Sequence, residues 1–441
     1  MSKPQPKIIV LDDDPTGSQT VHSCLLLMQW DLDTLKIGLQ DSVPIFFVLT
    51  NTRATTLEKA SEITKEVCHN LKQALRETQI TNFLVVSRSD STLRGHYPIE
   101  TDAIAQELGN FDAHFLTPAF FEGGRVTKGS VHYLLVDGVL TPVHETEFAK
   151  DSVFGYSYSY LPDYVAEKTG GRITADRVVT LQLDDLRGED LLSQLLKLEN
   201  NQCVAVDGET QEDFDRLARA ILDATTQGKR FLFRSAASLL TSLAQLDRQP
   251  TAPDSMATYR PTNKPGVVLI GSHVKKTTQQ LKQLLEEPAA TGIEVDVVRL
   301  RDYPQQKNAI LQETLQSVKD AWEREQTPVV YTSREELSFA DTKERLNFGV
   351  RVSSLLMDVV RGLPSEIGFL ISKGGITSND VLSTGLQLKT ARLLGQILPG
   401  VSVVRTPETH PHPNLPVVLF PGNVGSDRAL VEAWQRLSSR K

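Results

Sequence analysis

Cysteine is scarce in this chain: three residues among 441, Cys24, Cys68 and Cys203, with long separations between them. That spacing suits neither a metal site nor a disulfide framework, so the thiols are expected to be buried or inert in a reducing cytoplasm. No apolar run is long enough to span a membrane. Residues 1–7 (MSKPQPK) lead directly into an apolar segment, so no signal peptide is expected. Excess positive charge is also missing. The formal net charge is -8, which argues against a nucleic-acid partner and leaves an anionic substrate to locally placed Arg and Lys. Internal repeats at solenoid spacing are absent. What is present is the composition of a globular protein, 40% hydrophobic and 23% charged, at a length that exceeds one ordinary core. Two domains are expected.

The chain is organised around Ile8-Ile9-Val10-Leu11-Asp12-Asp13-Asp14-Pro15-Thr16-Gly17. The apolar residues, mostly β-branched, predict a buried strand. Three carboxylates and a Pro-Thr-Gly turn follow. In an open parallel sheet, ligands bind beyond the carboxyl ends of the strands. Three massed acids repel one another unless a cation, a proton or a substrate hydroxyl shares the site. The plain alternative is a polar turn with an N-cap aspartate.

Residues 44–49 (PIFFVL), 82–86 (NFLVV) and 114–116 predict further strands, alternating with helices over 56–77 and 99–108. The alternation implies a parallel, doubly wound sheet. Each strand then hands polar residues to one edge: Asp13 and Asp14, then Asn51 and Arg53, then Arg88, Asp90 and Arg94. Arg can grip a carboxylate bidentately, and Asp can accept from hydroxyls, so the set suits a substrate carrying both a carboxylate and hydroxyls. The alternative for Arg88 and Arg94 is a buried ion-pair network. Residues 118–129 (PAFFEGGRVTKG) form either a flexible basic lid over an anion or the turn of a β-hairpin with the strand-like stretch 131–136. Residues 141–148 open a long loop that runs to the aromatics of 156–160, a functional or interfacial feature by its length. Strands over 178–183, 203–206 and 231–233 and a helix over 211–225 complete this half.

Residues 248–265 hold four prolines and no periodicity and read as an interdomain linker. They separate a first domain, 1–247, from a second, 266–441. The second domain carries three strand–loop–helix junctions. The strand 266–270 runs into Gly271-Ser272-His273 and a helix that buries Leu281, Leu284 and Leu285. The strand 367–371 runs into Ser372-Lys373-Gly374-Gly375-Ile376-Thr377-Ser378, with Lys373 adding charge. The strand 417–420 runs into Pro421-Gly422-Asn423-Val424-Gly425 and a last helix to Leu437. Free N–H groups and the helix dipole attract an anion at such junctions, and paired glycines let the backbone approach a phosphate. Three junctions together suit a nucleotide-sized ligand, although the GxxxxGK[ST] spacing is absent. The alternative is a set of tight glycine turns. A helix over 341–363 is expected to pack through Leu346, Val350, Leu355, Leu356, Val359 and Val360. Thr409-His410-Pro411-His412-Pro413 reads as an exposed loop rather than a metal site.

Taken together, these motifs resemble the four-carbon acid sugar kinases, once catalogued as a domain of unknown function, over nearly the whole chain. The resemblance rests on Asp13-Asp14-Pro15-Thr16-Gly17, Ser89-Asp90-Ser91-Thr92-Leu93-Arg94-Gly95, Thr141-Pro142 with Glu145-Thr146, Gly271-Ser272, Gly374-Gly375-Ile376-Thr377 and Gly422-Asn423-Val424-Gly425. It implies an α/β fold of two domains, each built on a mostly parallel sheet with helices on both faces, and an active site in the interdomain cleft. The implied activity is ATP-dependent phosphorylation of a hydroxyl on threonate, erythronate or a 3-oxo-tetronate by direct transfer, with ATP and Mg²⁺ as cofactors. The implied catalytic residues are Asp13, Asp14 and Asp90. Thr16, Asn51, Arg53, Arg88, Arg94 and Gly95 would bind the acid. Ser272, Gly374, Gly375, Ile376, Thr377, Gly422, Asn423 and Gly425 would bind the nucleotide. No metal ligand is assigned, and a homodimer is compatible with the sequence. Two departures stand out. The family usually has an aromatic or aliphatic residue where Pro15 stands, here with an extra Asp12 before the motif. It usually has an acid where Ile376 stands.

Two other readings remain beside the resemblance. Asp12-Asp13-Asp14-Pro15-Thr16 also parses as the Asp-x-Asp-x-Thr of a haloacid-dehalogenase-type phosphatase, with Asp12 as nucleophile. A non-catalytic sensor of an acid sugar or a nucleotide is the other.

Overall fold

The first strand, β1 (Lys7–Asp12), has all but its first residue buried. It is central because its neighbours cover both its edges. The computed structural model describes residues 5–334, 337, 339 and 342–438. The chain divides into two compact units, one ending at Arg248 and the other starting at Gln249.

In the first unit, β2 (Leu25–Leu27), β3 (Ile45–Leu49), β4 (Phe83–Arg88) and β5 (Ala113–Thr117) follow β1. A small antiparallel sheet comes next, made of β6 (Arg125–Lys128), β7 (Val131–Val136) and β8 (Val139–Pro142). Then come β9 (Val179–Leu181), β10 (Gln202–Val206) and β11 (Phe231–Ser235). The main sheet runs β2-β3-β1-β4-β11-β5-β10-β9, with every pairing parallel. Strands buried on both faces read as unbroken apolar runs, as in Phe46, Phe47 and Val48, all 0% exposed. The helix Leu57–Thr78 starts where the Thr56 hydroxyl accepts from the Lys59 N–H, and it packs through Ala60, Val67, Leu71 and Leu75 as its spacing predicts. Of the two options for 118–129, the structure takes the hairpin: Gly124, at φ 70°, turns the chain into β6.

In the second unit, the strands are β12 (Val267–Ile270), β13 (Ala290–Val295), β14 (Thr327–Thr332), β15 (Leu370–Lys373), β16 (Thr390–Leu398), β17 (Val401–Arg405) and β18 (Pro416–Phe420). The order β13-β14-β12-β15-β18 is parallel, and β17 and β16 extend it antiparallel. Residues 249–265 pack on this unit through Met256, which is wholly buried in its core.

Several expectations need correction. Leu285 closes its helix and is 36% exposed, so it does not join Leu281 and Leu284 in the core. Val350 is 70% exposed; five residues before Leu355, it lies about 140° round the helix from the buried stripe. Asp341 lies outside the described residues, as does the side chain of Leu346. The loop after β17 is less open than expected, because His412 is buried and the His410 Nε2 lies 2.7 Å from the Leu386 carbonyl. The three cysteines are buried and none forms a disulfide among the described residues, and burial pushes the Cys203 thiol up to about 12. Among the described residues no helix is long and apolar enough to cross a membrane.

Candidate active site

Register assembles the acidic edge of the first unit. Asp12 stands opposite Leu49 on β3 and Arg88 on β4, so the three strands end level and their loops emerge side by side. The N–H groups of Thr50 and Asn51 donate to the Asp12 carbonyl at 2.9 and 3.3 Å, and the Arg53 N–H donates to the Asp13 carbonyl at 3.2 Å. Asn51 sits in the left-handed region, φ 52°, which Asn tolerates better than most residues.

The side chains then interlock. Arg53 grips Asp13 with two donors, one of them Nε to Oδ2 at 3.1 Å, and reaches Asp14 at 3.4 Å and Asp90 at 3.9 Å. Arg88 lies 3.3 Å from Asp12 and 3.7 Å from Asp13. Arg94 donates to Asp90 at 2.8 Å, with its guanidinium 4.9 Å over the Phe148 ring. The Ser89 hydroxyl donates to Asp13 at 3.0 Å, and Thr16 donates to Asp14 through its N–H at 2.8 Å and through its hydroxyl. The structure therefore brings Asp13, Asp14, Asp90, Thr16, Arg53, Arg88 and Arg94 together. Each of the three arginines is committed to a carboxylate, the network that the sequence left open for Arg88 and Arg94.

Exposure and charge separate the acids. The Asp13 side chain is 2% exposed, Asp90 14% and Asp14 25%, so Asp14 is the most open to a ligand. Burial would raise Asp14, but Arg53 and Arg88 outweigh it and hold the carboxyl below its usual range. Burial is outweighed in the same way at Asp90, by Arg53 and Arg94. Asp12 behaves differently. Burial pushes it up to about 7; Arg88 opposes the shift, and Asp13 and Asp14 add to it. Its Oδ2 has no hydrogen-bond partner among the described residues.

Asp12 should leave a signature in the pH dependence of stability. Between the ordinary carboxylate value near 4 and the folded value of about 7, the folded chain holds a proton that the unfolded chain has lost. The contribution is complete below pH ~4 and fades as pH rises through 7. Melting temperatures of wild type and Asp12→Asn, compared from pH 5 to 8, check this: the difference, wild type minus variant, should fall as pH rises.

Gly95 shows how tightly the edge is built. It has φ 122°, and a Cβ there would stand 2.5 Å from Arg234 Nη2 and 2.6 Å from Ser89 Oγ. Gly95→Ala should lose about 2 kcal/mol or more of stability, read by chemical denaturation.

Arg125, the first residue of β6, is set apart from its neighbours. Among the described residues it has no carboxylate within 4 Å. Its Nη1 donates to the Gly123 carbonyl, while its buried Nε has no partner. Burial lowers its pKa, while Asp90 raises it and Arg94 lowers it further, so both act on it electrostatically. A pocket beside this edge is lined by Ser89, Asp90, Arg94, Tyr164, Arg234 and Ser235, among others.

In the second unit, the three junctions converge. The Thr277 hydroxyl lies 3.1 Å from Ser272 Oγ and donates to the Gly422 carbonyl at 2.8 Å. A Cβ on Gly271 would come 2.3 Å from Thr377 Oγ1, and one on Gly422 would come 2.9 Å from Ser272 Oγ. Gly374 takes φ 122°, and Gly375 opens onto free space. Ser272, Gly374, Gly375, Thr377 and Gly422 thus share one corner, with Ile376 beside them, 68% exposed. Gly425, at φ 85°, turns the chain towards the last helix and packs on Ala429 rather than on this corner; Asn423 is exposed. Lys373 does not point outward with its charge. It is the last residue of β15, a strand buried along its whole length, and its side chain is wholly buried.

Residues 8–243 match the family model of a sugar-binding N-terminal domain, and residues 267–430 that of a nucleotide-binding C-terminal domain. The chain belongs to the four-carbon acid sugar kinase family. Among its relatives, a 3-oxo-tetronate kinase of Pectobacterium atrosepticum is 26% identical over 452 residues, covering 98% of this chain and 100% of the relative. A D-threonate kinase of Cupriavidus necator is 27% identical over 80% of this chain and 79% of its own. A D-erythronate kinase of Heliobacterium modesticaldum is 25% identical over 67% and 64%. The fold is similar to solved structures from Salmonella typhimurium LT2 (TM-score 0.73, 20% identity, 97% of this chain and 98% of that one) and of a Haemophilus influenzae DUF1537 protein (TM-score 0.64, 19%, 97% and 100%).

Two arginines of this acid sugar kinase family member escaped its sequence. Arg234 lies within β11, bonded to Ser87 at 2.7 Å and to buried Glu100. A charge inside the apolar FLFRS run was the available signal. Arg125 was visible only as part of a basic loop, with nothing to separate it from Lys128.

Proposed function

We propose that the protein transfers the γ-phosphoryl group of Mg·ATP to a hydroxyl of a four-carbon sugar acid in the cytoplasm. The observation that carries this reading is Arg125, which has no carboxylate partner among the described residues and lies within electrostatic reach of Asp90. A substrate carboxylate would supply the partner that Arg125 lacks, and Asp14 and Asp90 would accept from the substrate's hydroxyls. Low pKa values make Asp14 an orienting acceptor in the ground state, with the proton moving as the new bond forms. The acceptor oxygen bonds to the γ-phosphorus, the bond to the β–γ bridging oxygen breaks, and ADP leaves.

The glycine corner of the second unit suits the nucleotide, because unpaired N–H groups and small residues admit phosphate oxygens closely. Mg²⁺ would ride on those phosphates and offset their charge. The named activities of the relatives, all on tetronate-type acids, support the substrate class.

The phosphatase reading requires Asp12 to attack. That side chain is 1% exposed, and a Cβ on Gly17 would stand 2.2 Å from its oxygen, so a phosphoryl group has no approach to it.

ADP release from Mg·ATP across a panel of four-carbon acids, both stereoisomers of each, tests the proposal against a control without ATP. Turnover on one acid is expected. Phosphate release from sugar phosphates without ATP would restore the phosphatase, and ligand-induced stabilisation with no turnover would favour a sensor.

A further inference from the structure

Lys373 is wholly buried, and among the described residues no carboxylate lies within 4 Å of it. Its ammonium donates to the Pro421 carbonyl and, at 3.2 Å, to the Gly422 carbonyl, and it lies 4.0 Å over the Phe420 ring. The Thr277 hydroxyl donates to the same Gly422 carbonyl at 2.8 Å. Two successive carbonyls are thus drawn inward onto one cation.

That has a geometric consequence. In a planar trans peptide the C=O and the following N–H point in opposite directions. With the carbonyls of Pro421 and Gly422 turned inward, the N–H groups of Gly422 and Asn423 turn outward. Neither N–H has a hydrogen-bond partner among the described residues, and Asn423 is exposed. Adjacent outward N–H groups form an anion-binding concavity. A side chain on Gly422 would crowd this corner, since its Cβ would meet Ser272 Oγ at 2.9 Å.

The cation behind this concavity is costly to keep. Burial, with Lys276 adding to it, brings Lys373 down to about 7. Of the other charges near this corner, Lys276 pairs with Asp427 at 2.9 Å, and Arg334 donates to the Ser272 carbonyl at 2.7 Å. A bound phosphate is the anion that would offset the buried charge.

We infer that Lys373 is a positioning residue that holds the Gly422 and Asn423 N–H groups outward as a cradle for a nucleotide phosphate. This rests on the nucleotide reading of the second unit. It assigns Lys373 a role through the backbone, distinct from the direct phosphate contact of a loop lysine.

The test uses full-length protein labelled with ¹⁵N at Gly and Asn, titrated with Mg·ADP, together with steady-state kinetics of Lys373→Met. The Gly422 and Asn423 amides should shift strongly on saturation. Lys373→Met should raise the KM for Mg·ATP at least tenfold and leave the KM for the acid unchanged. Wild-type protein that binds Mg·ADP with both amides unmoved overturns the inference. So does a folded Lys373→Met with the wild-type Kd for Mg·ADP. Should that variant not fold, the wild-type amides decide alone. Wild-type protein that binds no Mg·ADP at all sinks the nucleotide reading, and this inference with it.

Discussion

Arg125→Ala lowers kcat/KM for the acid by roughly a hundredfold, a loss of about 3 kcal/mol, while the KM for Mg·ATP stays within twofold. The reasoning starts from charge balance. Arg53, Arg88 and Arg94 already hold carboxylates of the protein, and Arg234 is bonded to Glu100. A substrate carboxylate would have to displace those partners to use any of them. Arg125 needs no displacement, and its buried Nε has no acceptor among the described residues. Removing it therefore deletes a charge-assisted contact to substrate without leaving a protein carboxylate unpaired. Initial rates with the acid varied at saturating nucleotide check this, with the loss expected in KM more than in kcat. Arg125→Lys should recover only part of it, since an ammonium lacks the planar fork.

Asp14→Asn cuts kcat by about 10²- to 10⁴-fold, with both KM values within a few-fold of wild type. The amide keeps the shape and can still accept one hydrogen bond, but it cannot take a proton. Asp14 is singled out by its position. Its side chain is 25% exposed, whereas Asp13 is 2% exposed and clamped by Arg53. Thr16 fixes one Asp14 oxygen through two hydrogen bonds, leaving the other, 3.4 Å from Arg53, to face a hydroxyl. Single-turnover kinetics separate this loss from product release. A variant with wild-type kcat would remove Asp14 from the chemistry.

The parallel sheet of the first unit was legible because its central strands are buried on both faces, and such strands read as plain apolar runs. Residues 44–49 and 82–86 became β3 and β4 within a residue or two. The converging edge was legible for the same reason: parallel strands of level register deliver their next residues to one side. Pairing was not legible. Nothing in Arg88 or Arg94 tells whether the guanidinium meets a substrate or Asp12 and Asp90; that depends on rotamers and on which loops become neighbours. Arg125 stayed hidden because its meaning lies in what it lacks, a carboxylate partner. In the second unit, the glycine junctions announced a backbone that approaches something closely. The inward turn of Lys373 required knowing that β15 and β18 are adjacent, which local sequence does not state. The short strand β2 carries too little periodicity to be read from sequence alone. Val350 misled for a simpler reason: it is apolar, and it lies off the buried stripe.

The central claim is a division of labour, with the acid on the first unit and the nucleotide on the second. Calorimetric titration of Arg125→Ala with the acid and, separately, with Mg·ADP tests it most directly. The account predicts that the acid no longer binds measurably while Mg·ADP binds with the wild-type Kd. Retained acid binding, or loss of both ligands in a variant with the wild-type melting temperature, would contradict it.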